Sequence, residues 1–208
     1  MNNHQPRTPD RYIHLFSGGM DSTVLLYDII ARGDTVECLL FNYNQRHAKE
    51  LDFAQATCVK LGAKYSVLQL PHQLFTRSAL AGRSLKVDEL SGSSTVVPNR
   101  NMVFISMATS YALSTGANMV SWAVNLDDSK VYPDCRLAFY NQIRFAIEKC
   151  DNTQVMLRAP FLAKTKAEIV SLGKSLGVPF DETWSCYAGN AEPCGECGAC
   201  KARKDAGA

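Results

Sequence analysis

Several features are missing from this sequence, and each absence removes a class of function. No stretch approaches the roughly 18 to 20 uninterrupted apolar residues that span a bilayer, so no membrane partner is expected. The opening MNNHQPRTPD is polar and lacks the apolar core of a secretory signal. It reads as a short frayed leader, and export is not expected. The net charge of +2 and the pI near 8.1 come without the clustered basic face of a nucleic-acid reader, so a small-molecule partner is expected instead. There is no internal repeat and no low-complexity tract. Nor is there a Gly-Lys-Ser/Thr string, which excludes a Walker A loop.

What is present begins with cysteine. Cys38, Cys58, Cys135 and Cys150 are scattered, whereas Cys186, Cys194, Cys197 and Cys200 fall within fifteen residues. A secreted disulfide scaffold spreads its cysteines over a short chain without a core. Here 208 residues with 46% hydrophobic content suffice for one well-buried core, with a small appendage. A reducing, cytoplasmic compartment and a bound metal fit this distribution better.

Short apolar runs at Tyr12–Phe16, Val36–Tyr43, Lys64–Leu70, Asn118–Asn125 and Val155–Pro160 predict buried strands. Helical spacing separates them: Leu51, Ala54, Cys58 and Leu61, then Tyr140, Ile143 and Ile147. Asn99–Thr115 is too long for a strand and predicts a buried helix entered through Pro98. Thr165 and Glu168 have the spacing of a capping box, with Ile169, Leu172 and Leu176 as the stripe behind it. Strand and helix alternate, which predicts an α/β fold with a doubly wound, mostly parallel sheet and ligands beyond its carboxyl ends. Residues 11–180 form the expected main domain and 181–208 a tail in which Gly, Pro and Cys dominate. The loop from Phe75 to Pro98, with SGSS inside it, is expected to be a lid.

The first strand runs directly into Ser17-Gly18-Gly19-Met20-Asp21-Ser22-Thr23 and then into helical spacing. Two glycines allow positive φ and a close approach to a ligand, and free N–H groups at a helix start favour anions. Ser17, Ser22 and Thr23 add hydroxyl donors. A tight strand-to-helix turn would need glycine anyway, so the glycines alone are weak evidence. The whole string SGGMDS resembles the SGGxDS signature of pyrophosphate-loop ATP enzymes. That resemblance implies an ATP site at Phe16, Ser17, Gly18, Gly19, Met20, Asp21, Ser22 and Thr23, with Ser17, Asp21 and Ser22 catalytic. It also implies that Asp21 helps to place Mg²⁺.

Cys194, Cys197 and Cys200 stand at two-residue gaps, and Gly195 and Gly198 ease the turns that fold thiolates onto one ion. With Cys186 they make a Cys₄ set best read as a closed Zn²⁺ site; four thiolates also accept an iron–sulfur cluster. His4, His14, His47 and His72 have no ligand spacing to this set. His14 lies inside an apolar strand and reads as a satisfied core histidine.

Further strings are Asn44-Gln45-Arg46-His47 with Glu50, Val97-Pro98-Asn99-Arg100-Asn101, Tyr132-Pro133-Asp134-Cys135-Arg136 and Thr183-Trp184-Ser185-Cys186-Tyr187. Together with SGGMDS and the cysteine tail, from about residue 11 to 204, the chain resembles the 7-cyano-7-deazaguanine synthase family. The resemblance implies an adenine-nucleotide α-hydrolase-like fold and a homodimer. It further implies a ligase that adenylates 7-carboxy-7-deazaguanine, admits ammonia, and activates the resulting amide with a second ATP to give the nitrile. The implied acceptor set is Gln45, Arg46, His47, Arg100, Asn101, Asp128, Asp134, Arg136 and Lys164. Arginines offer planar forks for carboxylate or phosphate, and Asp128 and Asp134 offer acceptors for a guanine-like edge.

Three departures from the family pattern bear on the acceptor: Asn44 and Ala123 stand where glycine is usual, and Lys130-Val131 where Ser-Gly is usual. They are expected to reshape the acceptor pocket. A ligase adenylating another carboxylate, a tRNA-modifying enzyme, and a zinc-ribbon binding module on an inactive scaffold stay open at this point.

Overall fold

The computed structural model describes residues 7–75, 78–81 and 92–208. Half of the expected lid, residues 76–77 and 82–91, and His4 lie outside the described residues. The strands are β1 Arg11–Leu15, β2 Thr35–Asn42, β3 Lys64–Gln69, β4 Met119–Ser121 and β5 Met156–Arg158. They form one parallel sheet in the order β3-β2-β1-β4-β5. The helices are α1 Met20–Ala31, α2 Lys49–Leu61, α3 Arg100–Thr115, α4 Leu137–Ile147, α5 Lys166–Ser175 and α6 Gly198–Ala206.

Alternation along β1 and β2 assigns the two faces. Ile13, Leu39 and Phe41 pack with Ile105, Ala108 and Ile143 of α3 and α4. Tyr12 and Met119 meet Leu25 of α1 and Ile169 of α5, while Cys38 and Leu40 meet Leu51, Ala54 and Cys58 of α2. Helices thus cover both faces, and the sheet is doubly wound. Leu39 and Leu40 are wholly buried on opposite faces, each contributing on the order of 2 kcal/mol of transfer free energy.

The chain winds outward in both directions from the boundary between β1 and β4. That is the switch point, where a crevice opens beyond the carboxyl ends. β4 is shorter than the apolar run Asn118–Asn125 predicts. Its register pairs Ser121 with His14, and β1 ends one residue later to enter the glycine turn, so no ladder continues beside residues 122–125. Trp122, Ala123 and Val124 instead wall the crevice. The capping box forms as expected, with Glu168 N donating to Thr165 Oγ1 and Thr165 N to Glu168 Oε2.

The tail departs from expectation by containing α6. Its sequence, GACKARKDA, has helix-forming Ala, Lys and Arg but no apolar stripe, so the periodicity used to find the other helices is missing. Side chains anchor it instead. Arg203 donates to Thr183 O at 3.2 Å, to Thr183 Oγ1 at 2.7 Å and to Phe180 O, and Lys174 Nζ donates to Gly207 O.

Candidate active site

β1 delivers the chain to Ser17, and α1 begins at Met20 with Gly19 as its cap. Gly18 has φ +74°, and a Cβ there would sit 2.6 Å from Glu50 O and 2.7 Å from Ala54 N. Glycine is required twice over, by the left-handed backbone and by the first turn of α2 pressed against it. Gly19 is extended and faces the crevice. Ser17 Oγ lies 3.0 Å from Ser22 Oγ and accepts from Gly19 N, while Ser22 and Thr23 hydroxyls both donate to Gly19 O. These bonds hold the loop open as a cradle at a helix N-terminus, where free N–H groups favour an anion.

Beyond the loop lies a cavity of about 410 Å³, within the range of small-molecule sites. Phe16, Ser17, Gly19, Met20, Asp21 and Ser22 line it from the loop. From the acceptor set it receives His47, Arg100, Asn101 and Asp128, together with the aromatic side chains Phe41, Tyr43, Phe104, Trp122, Tyr132 and Tyr187. Arg100 opens α3, its guanidinium donates to Tyr43 Oη at 3.4 Å, and among the described residues no carboxylate pairs with it. A guanidinium facing a cavity without a counter-charge is suited to an anionic ligand.

The structure does not bring the rest of the acceptor set to the wall. Gln45 is consumed by its own turn: Oε1 accepts from Tyr43 N, and Nε2 donates to Phe41 O and Glu50 Oε1. Arg46 reaches away to Ala188 O. Asp134 accepts from Asn101 N at 3.2 Å and so caps α3, whose own cap residue Asn99 makes no side-chain bond. Arg136 is exposed and donates to Ser129 O. Lys164 acts through its backbone, bonded to Phe161 O and accepting from Leu126 N. Of the three departures, Ala123 and Val131 line the cavity, whereas Lys130 pairs with Asp127 on the surface. Asn44 is exposed with φ +61°, so the left-handed turn that glycine would make survives.

Sequence reading missed Lys166. Its Nζ lies 3.0 Å from both Asp21 Oδ2 and Asp128 Oδ1, and Asn125 Nδ2 bridges the same two carboxylates at 3.1 and 2.9 Å. Burial alone would lower its pKa; Asp21 and Asp128 outweigh that and raise it, so Lys166 is a fixed cation. A signal was available: Lys166 is the first residue of α5, where a cation opposes the helix dipole. Burial raises the pKa of Asp21, with Asp128 adding to it and Lys166 opposing. Asp21 Oδ1 is buried without a hydrogen-bond partner, so this carboxylate keeps an oxygen free for a cation.

His14 is a core histidine. Nε2 lies 2.9 Å from Ser22 O and Nδ1 2.9 Å from Ser121 Oγ. A carbonyl only accepts, so Nε2 carries the proton and Nδ1 accepts the serine hydroxyl. Complete burial lowers its pKa to about 4 and keeps it neutral.

The four tail thiols lie within 4.8 Å of one another. Tetrahedral ligation at a Zn–S distance of about 2.3 Å requires sulfurs about 3.8 Å apart, and Cys194 and Cys200 are 3.9 Å apart. Backbone N–H groups of Ala188 and Cys194 point at Cys186 Sγ, and that of Cys197 at Cys194 Sγ, as thiolates require. The donor set therefore fits a tetrahedral metal. The tail also reaches the phosphate loop: Trp184 N donates to Gly18 O, and Trp184, Ala199, Ala202 and Arg203 line the cavity.

Residues 11–207 match the family model described as Queuosine biosynthesis protein QueC. The chain belongs to this family. A 7-cyano-7-deazaguanine synthase of Methanoregula boonei is 42% identical over 92% of this chain and 91% of its own. Those of Hahella chejuensis and Archaeoglobus fulgidus are 40% and 39% identical, over 95% and 93% of this chain and 88% and 84% of theirs. Among solved structures, the U34-tRNA thiolase NcsA of Methanococcus maripaludis, with its [4Fe-4S] cluster, aligns with TM-score 0.54 at 13% identity over 99% of this chain and 66% of that one. An NMN synthetase of Francisella tularensis aligns with TM-score 0.52 at 16% identity over 90% and 71%. At those identities the likeness concerns the fold, the one that SGGMDS implied. QueC membership makes the chain a biosynthetic enzyme of the 7-cyano-7-deazaguanine synthase type. No helix among the described residues is long and apolar enough to cross a membrane.

Proposed function

We propose that the protein converts 7-carboxy-7-deazaguanine and ammonia to 7-cyano-7-deazaguanine, at the expense of two ATP, through an adenylated carboxylate and an adenylated amide. The observation that carries this reading is the single cavity in which the glycine cradle, the unpaired Arg100 and an aromatic wall meet. The cradle suits a phosphate chain, Arg100 suits the acceptor carboxylate, and the aromatic side chains suit a flat heterocycle.

In this reading the amides of Gly19 and Met20 and the hydroxyls of Ser17 and Ser22 stabilise charge on the departing pyrophosphate. Lys166 adds a fixed positive charge beside it. Asp21 and Asp128 would hold Mg²⁺, which supplies charge neutralisation on the phosphates. Cys186, Cys194, Cys197 and Cys200 would hold Zn²⁺, which supplies folding free energy to the tail. Residues 11–180 are then the ATP-binding ligase domain and 181–208 its zinc-binding tail. A cytoplasmic location fits eight cysteines free of disulfides, and the family resemblance implies a homodimer.

Mass spectrometry of the products from 7-carboxy-7-deazaguanine, ATP, Mg²⁺ and ammonium tests substrate and reaction together. The nitrile, with AMP released, is the expected result. AMP release that requires tRNA, or that ignores the deazaguanine acid, would overturn the reading.

A further inference from the structure

Two histidines lie at the carboxyl side of the sheet, and their surroundings differ. His14 has partners on both ring nitrogens and no access to the cavity. His47 lines the cavity and is only 4% exposed, yet its Nδ1 is buried with no hydrogen-bond partner. Its other nitrogen, Nε2, stands 3.3 Å from Glu50 Oε1. Glu50 is fixed in turn, because the same oxygen accepts from Gln45 Nε2 at 3.1 Å, and that amide also donates to Phe41 O at the end of β2. A carboxylate only accepts, so the tautomer that suits this contact has its proton on Nε2 and leaves a lone pair on Nδ1. The ring of Tyr187 flanks the imidazole at 5.7 Å between centroids. This is the arrangement of a base whose tautomer is set by an orienting acid.

The turn that carries the pair abuts the phosphate loop. Glu50 O is the atom nearest to a Cβ built on Gly18, at 2.6 Å. A base here lies beside the place where a carboxyl group would be adenylated.

Resting on the reaction proposed above, we infer that His47 Nδ1 is the base that takes an N–H proton in each AMP-releasing step of that reaction, with Glu50 as its positioning residue. In the first half, the nitrogen lone pair of ammonia attacks the acyl-adenylate carbon and the C–O bond to AMP breaks with its electron pair on AMP. One N–H proton passes to Nδ1, leaving the amide. In the second half, the amide oxygen displaces pyrophosphate from ATP, and the pyrophosphate carries away one of the two amide N–H protons, so a neutral imidate adenylate remains. The last N–H bonding pair then becomes part of the C≡N bond, the C–O bond breaks toward AMP, and that proton passes to Nδ1. Ammonia thus loses three protons on the way to the nitrile, and the two lost as AMP departs leave the same nitrogen on the same carbon, so one fixed base serves both steps. It discharges to solvent between them. The Glu50 carboxylate stabilises each transient imidazolium.

The test compares wild type with His47→Ala, His47→Gln and Glu50→Gln, using 7-carboxy-7-deazaguanine, MgATP and ammonium. Two rates are read: exchange of labelled pyrophosphate into ATP dependent on the acid, which reports adenylation, and nitrile formation. Both His47 variants should keep exchange within about threefold while nitrile formation falls on the order of 10²-fold or more. Added imidazole should restore part of the rate to His47→Ala and none to His47→Gln, whose side chain fills the space. Glu50→Gln should lose less, because the base remains but its tautomer is no longer fixed. His47→Gln keeps the test available if the alanine variant does not fold. Nitrile formation at the wild-type rate in both His47 variants, or a parallel loss of exchange and nitrile, would overturn the assignment. A wild type that makes no nitrile from this acid would instead overturn the functional reading itself.

Discussion

Gly18 and Gly19 are neighbours in sequence, and the structure gives them different tasks, which two alanine substitutions separate. At Gly18 the left-handed φ of +74° adds about 1–2 kcal/mol of strain for a residue with a Cβ. That Cβ would stand 2.6 and 2.7 Å from backbone atoms of α2, so the helix must retreat by about 0.8 Å to restore ordinary contact. Overpacking against rigid backbone typically costs a further 1–3 kcal/mol. Gly18→Ala should therefore lose about 2–5 kcal/mol of stability. For a chain of this size that lowers Tm by about 4–20 °C. At Gly19 the backbone is extended, and the nearest atoms to an added Cβ are Ser17 Oγ at 3.2 Å and Trp184 O at 3.5 Å. The serine side chain can turn, so Gly19→Ala should keep Tm within about 2 °C. Its methyl group occupies the cradle that faces the cavity, and AMP formation should fall on the order of 10²-fold through misplacement of the phosphates. Thermal unfolding and AMP release under saturating ATP read the two effects. A stable Gly18→Ala beside an unstable Gly19→Ala would refute this division of labour.

Asp21→Asn should retain the fold and reduce AMP formation on the order of 10²-fold, measured by steady-state AMP release. Its stability effect has the opposite sign: the folded pKa of Asp21 is raised, so wild type loses stability as pH rises from the unfolded carboxylate value through the folded one. Ligand-free Asp21→Asn lacks that loss, and its unfolding free energy should exceed wild type at pH 7 but not at pH 3. Elemental analysis should find one Zn²⁺ per chain, with Cys197→Ser lowering occupancy and Tm together; a metal-free wild type of full stability would contradict the Cys₄ assignment. Lys130→Ser with Val131→Gly should change KM for the deazaguanine acid and leave KM for ATP near its wild-type value. Val131 lines the cavity while Lys130 lies outside on Asp127, so the single Val131→Gly should account for most of the change.

The alternation of apolar strand and amphipathic helix was enough to place the sheet, because β1 and β2 carry their burial in their own side chains; β3, expected as a buried strand, lies at the sheet edge with every residue exposed or half-buried. The cradle was legible for the same reason, since its residues are contiguous. The acceptor side was only half legible. Gln45, Asp134 and Arg136 sit in strings that converge on the crevice, but a string does not say which side chains turn inward. Gln45 and Asp134 satisfy backbone groups that would otherwise be orphaned, a need that appears only when β2 and α3 are in place. Lys166 was hidden because its partners, Asp21 and Asp128, come from α1 and the segment after β4. Only the switch point brings those three segments together. α6 was hidden because its order rests on Arg203 and on thiols, and neither leaves a periodic trace.

The tail lines the candidate active-site cavity and also carries the four clustered thiols, and the two are connected step by step. Cys197 caps α6, and Cys200 lies in its first turn, so whatever holds the thiols together fixes where that helix starts. From α6, Ala199, Ala202 and Arg203 face the cavity, and Arg203 ties back to Thr183, directly before Trp184. Trp184 N then donates to Gly18 O in the phosphate loop, and its ring is held by Phe53 and by Lys49 Nζ at 4.5 Å. Loosening the thiols would release α6, then Thr183 and Trp184, and with them a contact on the left-handed glycine of the cradle. The four thiols and the phosphate loop are joined by contiguous contacts, so the proposed metal would order the wall of the cavity rather than the core, which is already large enough to fold around its own sheet.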